Sequence, residues 1–493
     1  MSEPIVLHPS DDVAILTEKR EGIAAGHKLA RHKIETGAPI RKFGQIIGYA
    51  TQPIAAGEHV HSHNCAVGEH DRSYEAGVDL AAAQAAVAPQ PPAEFMGYRR
   101  TDGRIGTRNY IALCATVNCS ATVIRQAAEE IRTSGILAAY PNVDGVFALA
   151  HGTGCGMASE GPGWENLQRV LWGYATHPNV GAAVFVGLGC EVMQVARMKA
   201  MFQGSGQERF VGLTIQDSGG TRATIAAIRA RVEALLPEVN AAKRSACPAS
   251  ALTVALQCGG SDGYSGITAN PALGVAADAL VAQGGAVILS ETPEIYGAEQ
   301  LLIRRATSEA VAAKLLERIR WWEDYTAQHG GSMDNNPSPG NKAGGLTTIL
   351  EKSLGAAAKG GSGPLSDVLA YGETIAGRGL IFMDTPGFDP VSVTGQVAGG
   401  AQIVVFTTGR GSAFGSKPAP TIKLATNDRL FTAMQDDMDL NCGDIVSAGV
   451  SVEAKGAEIL AEILSVASGR ATKSEALGLG DHEILPWQIG AVM

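Results

Sequence analysis

Aromatic residues make up only 5% of this 493-residue chain, and no apolar run approaches the roughly 20 residues that a membrane-spanning helix requires. A membrane partner is therefore not expected. Basic residues are outnumbered, 39 Lys and Arg against 49 Asp and Glu, so the net charge of −10 offers little for a nucleic acid to hold. An anionic ligand would need a local basic pocket. The first dozen residues lack the basic head and apolar stretch of a secretory leader, and the expected compartment is the cytoplasm. Eight cysteines without a single CxxC are too few and too scattered for a disulfide scaffold. Neither a Walker sequence nor a complete dinucleotide fingerprint occurs, which disfavours nucleotide and nicotinamide chemistry.

Glycine, by contrast, is abundant. The chain has 61, above the usual share of about 7%, with no collagen-like period or low-complexity block, so they belong in loops and tight turns. The length exceeds the roughly 250 to 300 residues at which a single core stops growing, so several domains are expected. Residues 1–75 read as a small β-rich domain, with short strands at 5–7, 13–16 and 45–49. Residues 76–96, rich in Ala and Pro, read as a linker. From 97 onward short apolar runs alternate with amphipathic stretches, the pattern of an α/β fold with mainly parallel sheets. Strands are expected at 110–116, 145–150, 182–186, 252–256, 286–289, 380–383 and 403–406, and helices at 121–131, 164–175, 222–236, 309–328 and 453–466. A charged, Pro-containing segment at 237–248 divides this region into a first α/β domain, 97–245, and a second, 246–493.

Ligands of open α/β sheets collect at the carboxyl ends of the strands. Here those ends are rich in glycine and polar groups: His151-Gly-Thr-Gly-Cys155-Gly, Gly-Leu-Gly-Cys190-Glu191, Gln-Cys258-Gly-Gly-Ser-Asp-Gly and Thr-Gly-Arg410-Gly. Cys155, Cys190 and Cys258 could jointly hold iron or an iron–sulfur cluster, although buried free thiols are the commoner outcome for each alone. In His59-Val-His61-Ser-His63 the imidazoles alternate, so a strand would place them on one face with Cys65. Same-face neighbours on a strand lie about 7 Å apart, so one metal ion could take all three only if the chain bends. A solvated histidine edge is the alternative. His27-Lys28 adds an imidazole and an ammonium from the same domain. The loop Asn336-Pro-Ser-Pro-Gly-Asn341-Lys342-Ala-Gly-Gly could present Lys342 to a carboxylate or phosphate. Four arginines at Arg99, Arg100, Arg104 and Arg108 form a second basic stretch.

In combination these segments resemble the altronate/galactarate dehydratase family of sugar-acid hydro-lyases. The likeness is carried by Gly26-His-Lys-Leu-Ala30, Gly57-Glu-His-Val-His-Ser-His-Asn64, the 103–109 stretch, Cys258 to Pro271, residues 294–300 and 336–345, and Thr408 to Gly411. It implies an N-terminal SAF domain followed by two Rossmann-like α/β lobes, and altronate dehydratase is the member resembled most. The implied reaction removes water from D-altronate to give 2-dehydro-3-deoxy-D-gluconate. Galactarate or another sugar acid, a sulfolactate sulfo-lyase activity, and sugar-acid binding without turnover stay open as alternatives. Taking a proton α to a carboxylate creates a dianion that calls for a cation. The resemblance implies Fe(II) or Mn(II), with an iron–sulfur cluster the lesser alternative. One ion is expected near the junction of the domains, held by His27, His59 and His61 with Cys155, Cys190 or Glu191 as partners. His27, Lys28 and His151 are the expected proton-transfer groups, and Arg104, Arg108, Asn341, Lys342 and Arg410 the expected grips on the substrate. The expected partner is a small sugar acid, with a homo-oligomer left open.

Overall fold

The computed structural model describes residues 3–68, 74–201 and 210–492; residues 1–2 and 69–73 of the expected β-rich domain lie outside this description. That domain has six short strands, β1 (Val13–Ile15), β2 (Lys28–Ala30), β3 (Pro39–Lys42), β4 (Gln45–Ala50), β5 (His59–Val60) and β6 (Cys65–Ala66). They form two antiparallel three-stranded sheets, ordered β1-β2-β5 and β3-β4-β6. So small a domain has little core of its own. Its buried Val13, Ile34, Ile40, Ile47, Ile54 and Val60 join Ala298, Leu354 and Ala357 of the C-terminal region in one apolar cluster. Docking therefore completes the core.

The stretch expected as a linker contains a helix, Leu80–Ala86, and ends in β7 (Glu94–Arg99). With β8 (Ile105–Gly106) and β13 (Arg244–Pro248), β7 makes a small antiparallel sheet in which the chain entering the middle domain pairs with the chain leaving it. Between them, β9 (Tyr110–Ala115), β10 (Gly145–Leu149), β11 (Val180–Gly187) and β12 (Phe210–Thr214) form a parallel sheet ordered β10-β9-β11-β12. Helices Asn118–Thr133 and Thr221–Ala241 cover one face and Pro162–Ala175 the other. The segment expected to divide the lobes is no break at its start: Pro237 lies inside the helix Thr221–Ala241, whose buried stripe continues to Val239.

The C-terminal domain is built on seven parallel strands: β14 (Thr253–Cys258), β15 (Ala286–Leu289), β16 (Leu365–Leu369), β17 (Gly379–Met383), β18 (Ile403–Thr408), β19 (Thr421–Ala425) and β20 (Leu440–Asn441). Their order is β16-β17-β15-β14-β18-β19-β20. The chain winds outward from β14 in one direction and from β18 in the other, so the switch point lies between these two strands. In the middle domain it lies between β9 and β11. The two sheets are joined at their amino ends, where Asn179 Nδ2 and Thr107 Oγ1 donate to the Gln402 carbonyl at 3.0 and 3.1 Å. Helix Pro162–Ala175 packs so closely on Asp389–Gly399 that a Cβ at Gly173 would stand 2.1 Å from the Ala398 carbonyl oxygen. Among the described residues no helix is long and apolar enough to cross a membrane.

Candidate active site

The crevice at the β14/β18 switch point has a glycine-lined wall because acidic side chains lie directly against its backbone. A Cβ at Gly409 would meet Asp262 at 2.1 Å, and one at Gly259 would meet Asp389 Oδ2 at 2.2 Å. The Gly260 carbonyl ties both strand ends together by accepting from the N–H groups of Gly409 (3.1 Å) and Arg410 (2.8 Å). Asp262 is buried, and burial raises its pKa against hydrogen bonds from Thr426, Ser265 and the Tyr264 N–H. Arg410 is exposed and Lys342 half-buried, and among the described residues no carboxylate pairs with either. Both cations are free for an anion.

The N-terminal β domain brings its histidines onto this rim. The strand carrying them stops after Val60; His61 N–H then donates to Asn64 Oδ1 (2.9 Å) and the His61 carbonyl accepts from Asn64 and Cys65. This turn supplies the bend that alternation alone could not. The ring centroids of His27, His59 and His61 lie 5.1 to 5.3 Å apart, with His63 5.6 Å from His59. His27 Nε2 faces the Ala343 carbonyl at 3.4 Å and His61 Nε2 the Lys342 carbonyl at 2.9 Å. A proton on each Nε2 leaves the His27 Nδ1 with a lone pair, the usual way a carbonyl orients a ligating imidazole, while the His61 Nδ1 lies 3.0 Å from Ser62 Oγ. His27 Nδ1 lies 3.0 Å from His59 Nε2. Two nitrogens bound at a right angle to one ion at about 2.1 Å would be about 3 Å apart, so the spacing fits a shared cation. Burial lowers the pKa of all three, His59 to about 4 with help from the neighbouring rings, so they are neutral at pH 7.

Beneath them the docking is fastened by charge. Lys28 is 0% exposed, with Nζ 2.8 and 3.0 Å from the Glu351 carboxylate and 2.6 Å from the Gly345 carbonyl. Lys42 Nζ reaches the same carboxylate at 2.9 Å, and Thr347 donates to it from N–H and Oγ1. Burial alone would raise the Glu351 pKa, but the two ammonium groups hold it well below the carboxylate range. Lys28 thus sits in a closed ion pair. Sequence reasoning missed Glu351, although an adjacent Glu-Lys pair in the otherwise apolar helix Ile349–Ala358 was the available signal.

Glu351's neighbour Lys352 serves a second network at the ends of β14 and β15. Its Nζ lies 2.7 Å from Glu294 Oε1 and 2.6 Å from Asn336 Oδ1. Cys258, Glu291 and Glu294 have donor atoms within 4.8 Å of one another. A cation is nonetheless a poor occupant. Lys359 Nζ already stands 2.8 Å from Cys258 Sγ and 3.9 Å from Glu291 Oε2, and burial pushes the thiol to about 12. Burial and the neighbouring Glu294 raise Glu291 well above its ordinary range, so Cys258 and Glu291 hold protons, while Glu294, despite its burial, is held low by Lys352 and Lys359, which occupy the place a cation would take. Asp389, half-buried beside Gly259, is pushed to about 7 by burial and Glu294.

The other residues singled out from the sequence lie elsewhere. Arg104 pairs with Asp102 at 2.7 Å, and buried Arg108 grips Glu475 at 2.7 and 2.8 Å. Both precede β9 and so stand at its amino end, opposite the ligand-binding edge. Asn341 caps its own helix and donates to the Ser261 carbonyl at 2.8 Å, which positions the loop. His151 is buried with both nitrogens engaged, by the Ala115 carbonyl (2.8 Å) and the Thr153 N–H (3.3 Å). Glu191 turns inward to Thr116 Oγ1 (2.9 Å) and Gly189 N–H (2.6 Å). The structure divides the expected single set of metal ligands: the imidazoles rest on the C-terminal domain, while Cys155, Cys190 and Glu191 belong to the middle sheet. Among the described residues no hydrogen bond joins the two sets. Cys258 is buried in the large sheet, apart from Cys155 and Cys190.

Comparison with known proteins agrees with this architecture. Three family models match in order: the altronate/galactarate dehydratase SAF domain at 17–68, the D-galactarate dehydratase/altronate hydrolase second domain at 97–240, and the D-galactarate/altronate dehydratase C-terminal domain at 249–492. The chain is 38% identical to an altronate dehydratase of Bacillus subtilis (strain 168) over 467 residues, 93% of this chain and 90% of that one. It is 37% identical to an altronate dehydratase of Escherichia coli (strain K12), covering 92% and 90%. It is also 37% identical to the galactarate dehydratase (L-threo-forming) of the same strain, covering 96% and 95%. The chain belongs to the D-galactarate/altronate dehydratase family.

Proposed function

We propose that the protein is a hydro-lyase that dehydrates D-altronate to 2-dehydro-3-deoxy-D-gluconate, with Fe(II) or Mn(II) held by His27 and His59 and with His61 beside them. The observation that carries this reading is the pair of neutral imidazoles of His27 and His59, their nitrogens 3.0 Å apart, on the rim of a crevice that also bears two unpaired cations. A divalent ion there would take up the charge that grows on the substrate carboxylate as the α-proton leaves. Arg410 and Lys342 hold the acid: a fixed guanidinium fork suits a carboxylate, and a flexible ammonium can reach a hydroxyl. The glycine wall lets the sugar chain lie against the backbone of 259–260 and 409.

Asp389 is the group that takes the Cα proton. With its pKa near 7 it is ionised often enough to accept a proton and basic enough to pull it, the condition for efficient general-base catalysis at neutral pH. The departing C3 hydroxyl leaves as water once it receives a proton, and protonated Glu291, just past the end of β15 and linked through charge to Asp389, is a proton reserve for that step. Lys28 and Glu351 take no proton in this scheme and keep the histidine domain in place.

The test is a periodate–thiobarbiturate assay for 2-keto-3-deoxy acid across aldonic and aldaric acids with added Fe(II) or Mn(II). Product from D-altronate supports the reading, and product from galactarate alone reassigns the substrate. Tight altronate binding with no keto acid marks a binder, and sulfite release from sulfolactate marks a sulfo-lyase.

A further inference from the structure

Of the chain's eight cysteines five are buried, the ordinary fate of a free thiol. The three exposed ones, Cys119, Cys155 and Cys190, share one place. They follow β9, β10 and β11, which are adjacent in the middle sheet, and they stand at the carboxyl edge where that sheet has its switch point. The three loops are stitched together beside the thiols. Asn118 N–H donates to the Thr153 carbonyl at 2.9 Å, and Val192 N–H donates to the Gly154 carbonyl at 3.1 Å.

The backbone around the thiols is tightly turned and glycine-dependent. Gly154, Gly156 and Gly189 have φ of 98°, 65° and 130°, left-handed conformations that favour glycine and let these loops turn tightly around the thiols. No side chain could replace Gly154, because its Cβ would lie 2.2 Å from the Thr116 carbonyl oxygen. Cys119 is the second residue of the sixteen-residue helix Asn118–Thr133, so its thiol stands at the positive end of the helix dipole.

We propose that Cys119, Cys155 and Cys190 ligate a [4Fe–4S] cluster, leaving its fourth iron without a cysteine ligand. One thiol at the end of each of three adjacent strands suits a cluster, in which each thiolate takes a separate iron. Three thiolates on one tetrahedral ion, with bonds of about 2.3 Å, would sit about 4 Å apart. These sulfurs are not all within 4.8 Å of one another, which is too wide a set for one ion. No fourth thiol is at hand: Cys114 is buried within β9 and Cys258 in the other large sheet. The open iron is therefore free to bind an oxygen from water or a hydroxyl-bearing ligand. This site is separate from the imidazole site and does not depend on which sugar acid is turned over.

The experiment reconstitutes the full chain anaerobically with Fe(II) and sulfide, then measures visible absorption, electron paramagnetic resonance after reduction, and iron and acid-labile sulfide per chain. Wild type should take up roughly four of each, the stoichiometry of a cubane. C119S, C155S and C190S should each lose most of the labile sulfide and visible band, while C442A keeps both. The three serine variants change exposed positions, and far-UV circular dichroism verifies that they are folded. Iron bound without labile sulfide, or a cluster retained by the triple serine variant, overturns the proposal. Turnover is not the readout, so failure here is distinct from failure of the dehydratase reading.

Discussion

Replacing Glu351 with Gln should loosen the histidine-bearing domain from the body of the protein. Its carboxylate accepts three contacts of 2.8 to 3.0 Å from Lys28 and Lys42, and the side chains involved are at most 2% exposed. Removing one partner of a buried ion pair costs about 3–5 kcal/mol, because the remaining charge is left unpaired. Here two ammonium groups lose their partner, so E351Q belongs at the upper end, about 4–5 kcal/mol. Urea unfolding gives the magnitude, and hydrogen exchange should show the loss concentrated in residues 13–66. The pH dependence adds a sign. Glu351 is held far below its ordinary 4.5, so its contribution is complete above pH 4.5 and declines as pH falls below it. The gap between wild type and E351Q should therefore narrow in acid. Adding Lys28→Met and Lys42→Met should recover part of the loss, since a buried ion pair is often no better than an apolar replacement. An E351Q variant within 1 kcal/mol of wild type would refute the clamp.

Three further outcomes are expected. Asp389→Asn should abolish turnover, and the wild-type rate should rise with pH through about 7 as the carboxyl ionises; an unchanged pH profile in D389N removes Asp389 as the base. His177, lowered by burial to about 3, stays neutral in the fold while the unfolded chain takes a proton near 6.5. Stability should therefore fall as pH drops below 6.5 toward 3, and His177→Gln should flatten that slope in denaturation curves. Gly173→Ala should destabilise by about 2 kcal/mol or more, since its Cβ meets the Ala398 carbonyl oxygen, and thermal melting reports it.

The fold was legible where periodicity survives partial exposure. Helix Glu309–Gln328 matches the expected span because its polar and apolar faces differ. Helices Ala269–Ala282, Ile349–Ala358 and Asp389–Gly399 escaped detection because burial on nearly all sides erases the pattern. Within the site, the glycine-rich strand ends and the histidine alternation were visible in the letters. The bend after Val60 was not, since it depends on the Asn64 side chain closing back on His61. Arg104 and Arg108 attracted notice by charge, yet any residue just before a parallel strand falls at its amino end, away from ligands. Glu351, Lys352 and Asp389 acquire meaning only from partners that are distant in sequence.

The most direct measurement is an anomalous-scattering map at the manganese edge from crystals of the full chain soaked with Mn(II). The expected result is a peak within about 2.3 Å of ring nitrogens of His27 and His59. A peak at Cys258, Glu291 and Glu294, with none among the histidines, would contradict the assignment of the metal to the imidazole rim.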